Sequence, residues 1–204
     1  MPVVDDLIFI PDDRPVMFDI DGCFADFELT FRTECSEADG VDYPAATQWH
    51  FHRDWGWSDA EFKQRFDAWA LSGGYTRVAE IPGSFDAARY LIELGQPVHF
   101  LTTRHDFAEH DTRAWLADRL PGGGWTLEVV SGAKLGGDRF SAAIDDRIDN
   151  IETLTATGCD AAALYRHPSN ADAPSTMNRF GSIQEFVDDF VVSRMTMATE
   201  VASC

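Results

Sequence analysis

Basic side chains are scarce in this sequence: 16 Lys and Arg face 35 Asp and Glu, a formal charge of −19 over 204 residues. Such a surface repels a polyphosphate backbone, which excludes DNA and RNA polymers as partners. A small phosphate ester can bind against that field where local cations or a metal hold it. Cysteine is sparse as well. Cys23, Cys35, Cys159 and Cys204 form no CxxC pair, so neither a disulfide framework nor a thiolate metal site is expected. His50 and His52 lack a nearby third ligand and are set aside as surface or packing residues. There is no apolar run of 18 residues and no leader-like opening, which leads us to expect a reduced cytoplasmic setting with no membrane partner. Neither GxGxxG nor GxxxxGK occurs, removing the dinucleotide fingerprint and the nucleoside-triphosphate loop.

What the chain does have is apolar mass. A hydrophobic fraction of 45%, with 6 Trp and 15 Phe, suits a packed core, and this length suits one α/β domain with a small insertion, burying roughly 70% of its unfolded surface. The organising stretch runs from Val16 to Phe27. Val16, Met17 and Phe18 follow Pro15 as a continuous apolar run, the pattern of a buried parallel strand, and they stop at Asp19-Ile20-Asp21-Gly22. Before them, Leu7 to Ile10 reads as an edge strand or a cover for the sheet.

Phe24, Phe27, Phe31 and Cys35 recur at helical spacing until Gly40 and Pro44. Between Val41 and Ala79 no strand is expected. Ser58-Asp59-Ala60-Glu61 is a capping box ahead of a helix bearing Phe62, Phe66 and Trp69, closed by Gly73-Gly74. A βα crossover needs far fewer residues, so this segment reads as a helical insertion. Regular alternation then follows, with Ser84 expected to cap a helix to Leu94. Strands are expected at Pro97–Leu101, Leu127–Val130, Phe140–Ile144 and Ala161–Tyr165, and helices around Trp115, at Ile151–Leu154 and after Ser182. The tail after Met195 is expected to fray.

Strands alternating with helices imply a three-layer parallel sheet with right-handed crossovers, whose strands end on one side. Asp19/Asp21, Thr102 and Asp145/Asp146 therefore converge at the edge where such sheets bind ligands. Three carboxylates there call for a cation. A hard oxygen-liganded ion such as Mg2+ resolves the repulsion, because it is satisfied by one or two carboxylates, waters and a substrate phosphate. One carboxylate can then attack phosphorus while another, two residues on, moves the proton; Thr102 supplies a hydroxyl and Lys134 a fixed charge for phosphoryl oxygens. A calcium loop does not fit, since Gly22 stands fourth rather than sixth and the twelfth position is Thr30 rather than Glu.

Asp19-Ile20-Asp21-Gly22, Thr102, Lys134 and Asp145-Asp146 resemble the four motifs of the haloacid dehalogenase (HAD) superfamily, over most of the chain. DIDGCFADFE, the TTR followed by Thr112 to Leu116, and IDDRIDNI look most similar to the 5'(3')-deoxyribonucleotidase branch. The resemblance implies a Rossmann-like core of residues 1–24 and 80–204 with a parallel sheet, and a small helical cap, 25–79, inserted after the first strand. It implies Mg2+ as cofactor, with Asp19 as nucleophile and ligand, Asp21 as general acid/base that also offers its carbonyl to the metal, and Asp145 as a further ligand. Thr102, Thr103 and Lys134 would bind phosphate, and Asp146 would position a metal-bound water with Arg147 in support.

Asp26, Phe27, Trp49, Trp57 and Arg104 are candidate contacts to substrate or cap. Arg104 and Arg147 each have two readings, a phosphate contact or an ion pair fixing a neighbouring acid, the second being preferred for Arg147. Asn170 resembles a family position near the site but is equally explained as a turn residue. Phe27, Phe31, Phe62, Phe66 and Trp69 read as cap core, and Trp49, Phe51, Trp55 and Trp57 as surfaces for a base. The expected function is Mg2+-dependent hydrolysis of a small phosphate ester, a (deoxy)ribonucleoside monophosphate, through an aspartyl-phosphate. A sugar-phosphate phosphatase and a non-catalytic phosphate-binding or regulatory protein are the alternatives. A homodimer is compatible with all of these.

Overall fold

A computed structural model describes residues 7–197. Leu7–Phe9 (β1) is followed by Val16–Phe18 (β2), Ala25–Asp26 (β3) and the helix Phe27–Asp39 (α1). Asp26 accepts the Leu29 N–H to start α1, and Gly40, at φ 66°, ends it in the left-handed conformation that glycine tolerates best. Asp59–Leu71 (α2) is capped by the Ser58 hydroxyl, which accepts the Glu61 N–H as the sequence motif predicts. A short helix, Gly74–Arg77 (α3), leads into Ala79–Glu80 (β4). Because β3 and β4 pair antiparallel, the chain leaves and re-enters the core at one place, with helical and irregular residues 27–78 between.

The remainder alternates: Ser84–Glu93 (α4), Val98–Thr102 (β5), Glu109–Ala117 (α5), Trp125–Val129 (β6), Ala142–Asp145 (β7), Ile148–Ala156 (α6), Ala162–Tyr165 (β8), Arg179–Phe180 (β9), Ile183–Ser193 (α7) and Met195–Met197 (β10). Six strands form one parallel sheet in the order β6-β5-β2-β7-β8-β9. This is the expected α/β architecture, with β2 at its centre.

The two faces separate by the period-two rule of a strand. Val16, Phe18, Phe100 and Ile144 pack into one cluster with Leu91, Trp115 and Val187 from α4, α5 and α7. Met17, Leu101, Ala143 and Leu164 pack into a second with Ile151 and Leu154 from α6. The three layers follow.

Three local expectations are corrected. Ser84 does not cap α4: Gly83, at φ 82°, holds that position, and the Ser84 hydroxyl donates to the Cys23 carbonyl at 2.8 Å, joining the helix to the turn after β2. The N-terminal run does not edge the main sheet. It pairs antiparallel with β10, so Met195–Met197 is ordered by a partner nearly 190 residues away rather than frayed; residues 198–204 of that tail lie outside the described residues. Strands β3, β4 and β9 have two residues each, too few to leave a sequence pattern.

A candidate catalytic site at the carboxyl edge of the sheet

Adjacent strands β5, β2 and β7 bring three chain ends together, because each turns out of the sheet at the same edge. The Asp19 N–H donates to the Ile144 carbonyl at 3.0 Å, extending the β2–β7 ladder by one residue and setting Asp19 beside Asp145. Lys134, one of two lysines in the chain, inserts between them from the loop after β6. Its ammonium donates to Asp145 Oδ2 at 2.7 Å and also to Asp19 Oδ1. Asp19, Lys134, Asp145 and Asp146 are all buried.

Charge so deep in the core perturbs these groups. Burial first, and then Asp145, push the Asp19 carboxyl up to about 7, against the opposing pull of Lys134. Asp146 is raised well above the usual carboxylate range, again chiefly by burial and then by Asp19 and Asp145. Lys134 is raised despite its burial, held charged by the two acids.

One oxygen of each of Asp19, Asp145 and Asp146 lies within 4.8 Å of the others. Asp146 Oδ1 is buried with no hydrogen-bond partner. An all-oxygen set with one unsatisfied acceptor fits a hard divalent cation, which would supply the missing partner and offset the carboxylate repulsion. Asp145 is aimed by its surroundings: Asn150 Nδ2 donates to both its oxygens at 3.0 Å and the Arg147 N–H donates at 2.8 Å. Asn150 was not anticipated, although its place in the first turn of α6, five residues beyond Asp145, is a readable signal.

Gly22 shows why the motif ends in glycine. It has φ 87°, and a β-carbon there would run into the Asp146 carboxylate, so a side chain is excluded by both backbone and space.

The Asp21 side chain turns away from that cluster. Arg104 Nε donates to its Oδ2 at 2.8 Å and Nη2 to its Oδ1 at 2.6 Å. Of the two sequence readings of Arg104, the ion pair is the observed one. Thr102 is buried, its hydroxyl accepting the Arg104 N–H at 3.3 Å, while Thr103 is exposed at the rim. Arg147 pairs with Asp149 at 2.5 Å and lies over the Trp49 ring at 4.7 Å, so it links the core to the 27–78 segment. Asn170 is structural, donating to the Asp146 and Tyr165 carbonyls at 2.8 and 2.7 Å.

Above this floor opens a cavity of about 710 Å3, lined by Asp19, Asp21, Thr102, Thr103, Arg104, Lys134, Asp146 and Arg147 below and by Asp26, Phe27, Trp49, Phe51, Phe62 and Phe66 from the helical segment. Phe62 and Phe66 serve the segment's core and the cavity wall at once. His52, set aside from the sequence, also reaches the wall, stacked on Phe62 at 4.3 Å between ring centres. Tyr75, His167 and Ser169 line it too, without a sequence signal. Trp57 does not. It is buried, donates its ring N–H to the Tyr43 hydroxyl at 3.3 Å and carries Arg65 on its face at 4.3 Å, so its role is packing.

No family model and no curated protein matches this sequence. Solved structures do. A D,D-heptose 1,7-bisphosphate phosphatase from Burkholderia thailandensis superposes with TM-score 0.53 at 14% identity, over 87% of this chain and 98% of that one. A haloacid dehalogenase-like family hydrolase from Xanthomonas campestris gives 0.55 at 15% identity, over 89% and 96%. A HAD family hydrolase from Deinococcus radiodurans, solved with bound phosphate and sodium, gives 0.54 at 15%, over 84% and 92%. At such identities the likeness is one of fold, and the fold is that of HAD-superfamily hydrolases. Among the described residues no helix is long and apolar enough to cross a membrane.

Proposed function

We propose that the chain is a phosphomonoesterase in which Asp19 attacks the phosphorus of a small phosphate ester. The observation that supports this most directly is the placement of Asp19 at the end of the central strand, bridged to Asp145 by the buried Lys134. An Asp19 carboxylate oxygen bonds to phosphorus as the bond from phosphorus to the leaving oxygen breaks, and Asp21 delivers a proton to that oxygen. Water then adds to phosphorus and gives its proton to Asp21. The aspartyl oxygen leaves, so inorganic phosphate and free Asp19 are restored. Lys134 and the Thr102 and Thr103 hydroxyls face the phosphoryl oxygens and balance their charge.

Asp19 and Asp145, with the Asp21 carbonyl, would hold Mg2+, and Asp146, expected from the sequence to position a metal-bound water, has a carboxylate oxygen within 4.8 Å of theirs and would join them as a ligand. When bound, the cation neutralises charge on the carboxylates and phosphoryl oxygens. Residues 27–78 act in this reading as a cap that excludes water from the site.

The aromatic wall of Phe27, Trp49, Phe51 and Phe66 favours a flat, weakly charged leaving group, which supports a (deoxy)ribonucleoside monophosphate as substrate. A sugar phosphate is the second reading, favoured by the heptose bisphosphate phosphatase that shares the fold. Phosphate release by the wild type and by Asp19→Asn, with and without Mg2+, tests the reaction: release by the wild type alone and only with Mg2+ is expected, and equal release by both removes Asp19 from it. A panel of phosphate esters tests the substrate, and deoxynucleotides among its poorest members would remove that choice.

A further inference from the structure

Among the described residues, Arg104 and Lys134 are the two basic side chains of arginine or lysine that lie buried, and Arg104 is held on several sides. Its side chain has no solvent exposure while the Asp21 side chain it holds is 28% exposed. Two of its nitrogens meet both Asp21 oxygens, and Nη1 donates to the Thr112 hydroxyl at 3.2 Å. One face of the guanidinium is covered by the Tyr75 ring at 4.5 Å, with Trp115 farther off at 5.7 Å. Tyr75 in turn bonds His105 Nδ1 through its hydroxyl at 3.1 Å, and His105 Nε2 meets Asp67 on α2 at 3.0 Å. A planar fork held by aromatic rings and a hydroxyl has little freedom left, so it presents its N–H pair in one direction.

We propose that Arg104 is a positioning residue for the proton-transferring Asp21, and not a phosphate ligand; this rests on the phosphomonoesterase reading above. The bidentate pair fixes the carboxylate at the base of the cavity in one orientation, the one from which it hands a proton to the leaving oxygen. In the second half of the reaction the same carboxylate, held in the same place, accepts the proton of the attacking water. Arg104 therefore acts wherever Asp21 acts. Because Tyr75 and Asp67 belong to the 27–78 segment, the aim of Asp21 also depends on that segment being seated on His105.

This role separates from direct phosphate binding by leaving group. An alkyl phosphate needs its departing oxygen protonated, whereas 2,4-dinitrophenyl phosphate does not. Arg104→Ala is expected to lower kcat for glycerol phosphate by at least about tenfold, to lower kcat/KM for the dinitrophenyl ester by no more than about threefold, and to leave inhibition by inorganic phosphate unchanged within about twofold. Arg104→Lys is expected to recover part of the alkyl-phosphate loss.

In an Asp21→Asn background, Arg104→Ala is expected to add nothing for the alkyl ester, since its effect passes through the missing carboxylate. Losses that multiply in the double variant, or about a tenfold weaker inhibition by phosphate, overturn the proposal. Should Arg104→Ala fail to fold, Arg104→Gln enters the same cycle, and the same results support or overturn the role. Equal phosphate release by wild type and Asp19→Asn would defeat the underlying reading instead, so the two failures are distinct.

Discussion

Lys134 Nζ donates to Asp145 Oδ2 at 2.7 Å with side-chain exposures of 1% and 0%, and the same ammonium reaches Asp19. One cation thus compensates a buried acidic cluster at the floor of the cavity. Removing one partner of a buried pair typically costs about 3–5 kcal/mol, because the other charge stays behind. Lys134→Met is expected to lose stability on that order at pH 7.5 without added divalent cation, as read by urea unfolding. Part of the loss should return at pH 5.5, below the raised Asp19 value of about 7, where that carboxyl takes up a proton.

The direction of the Asp19 shift sets a second expectation. Its folded value, about 7, lies above the ordinary carboxylate value of 3.8, so between these the native chain holds a proton that the unfolded chain has released. Stability from this group is full below the lower value and is lost as pH rises through the upper one. A cation that takes the place of those protons should stabilise more at high pH. Thermal unfolding with and without Mg2+ is expected to show a larger rise in Tm at pH 7.5 than at pH 5.5; an equal or reversed difference would place the ion elsewhere.

At Gly22, a β-carbon meets the Asp146 carboxylate and the backbone sits at φ 87°. Gly22→Ala is expected to cost about 1–3 kcal/mol from the backbone conformation alone, and to lower phosphate release beyond what stability explains by displacing Asp146. The control is Gly56→Ala, with φ 80° but open space around it, which should lose stability without the specific loss of activity.

Asn150 donates to both oxygens of Asp145 from the first turn of α6. Outer hydrogen bonds of this kind commonly contribute about 10–100-fold to metal affinity. For Asn150→Ala, a titration of activity against Mg2+ should shift to higher concentration by a factor in that range, with kcat at saturation less affected.

Trp49 and Trp57 are eight residues apart and should fail differently. Trp57 is 6% exposed within the aromatic cluster of the 27–78 segment, so Trp57→Ala is expected to cost about 3–5 kcal/mol of stability. Trp49, 45% exposed at the cavity mouth over Arg147, should lose little stability. Its replacement by alanine is expected to raise KM about tenfold for a nucleotide, the scale of one aromatic contact, and to leave KM for an aliphatic phosphate nearly unchanged.

Strongly patterned elements were legible in the residues themselves. The Val16–Phe18 run, the Ser58 and Ser182 caps, and the apolar strands ending in Thr102 and Asp145 each state their local structure, because strand period and helix capping are short-range effects. Parallel crossovers force the strand ends to one edge, so the convergence of Asp19, Thr102 and Asp145 follows from topology, whereas the insertion of Lys134 from the loop after β6 does not. The pairing of β1 with β10 left no trace of this kind, since two three-residue strands at opposite ends of the chain are ordered only by each other.

Side-chain direction was decided by the tertiary structure alone. Trp49 and Trp57 occupy similar stretches of sequence, yet one faces the cavity and the other the core, because Phe31, Tyr43 and Arg65 close around Trp57. Arg104 could have met phosphate or carboxylate; the Tyr75 ring and the Thr112 hydroxyl turn its fork onto Asp21. The sequence by itself determined which chemical groups gather at the edge of the sheet. Which group each of them faces was decided by packing, because a buried side chain takes its direction from neighbours distant in the chain.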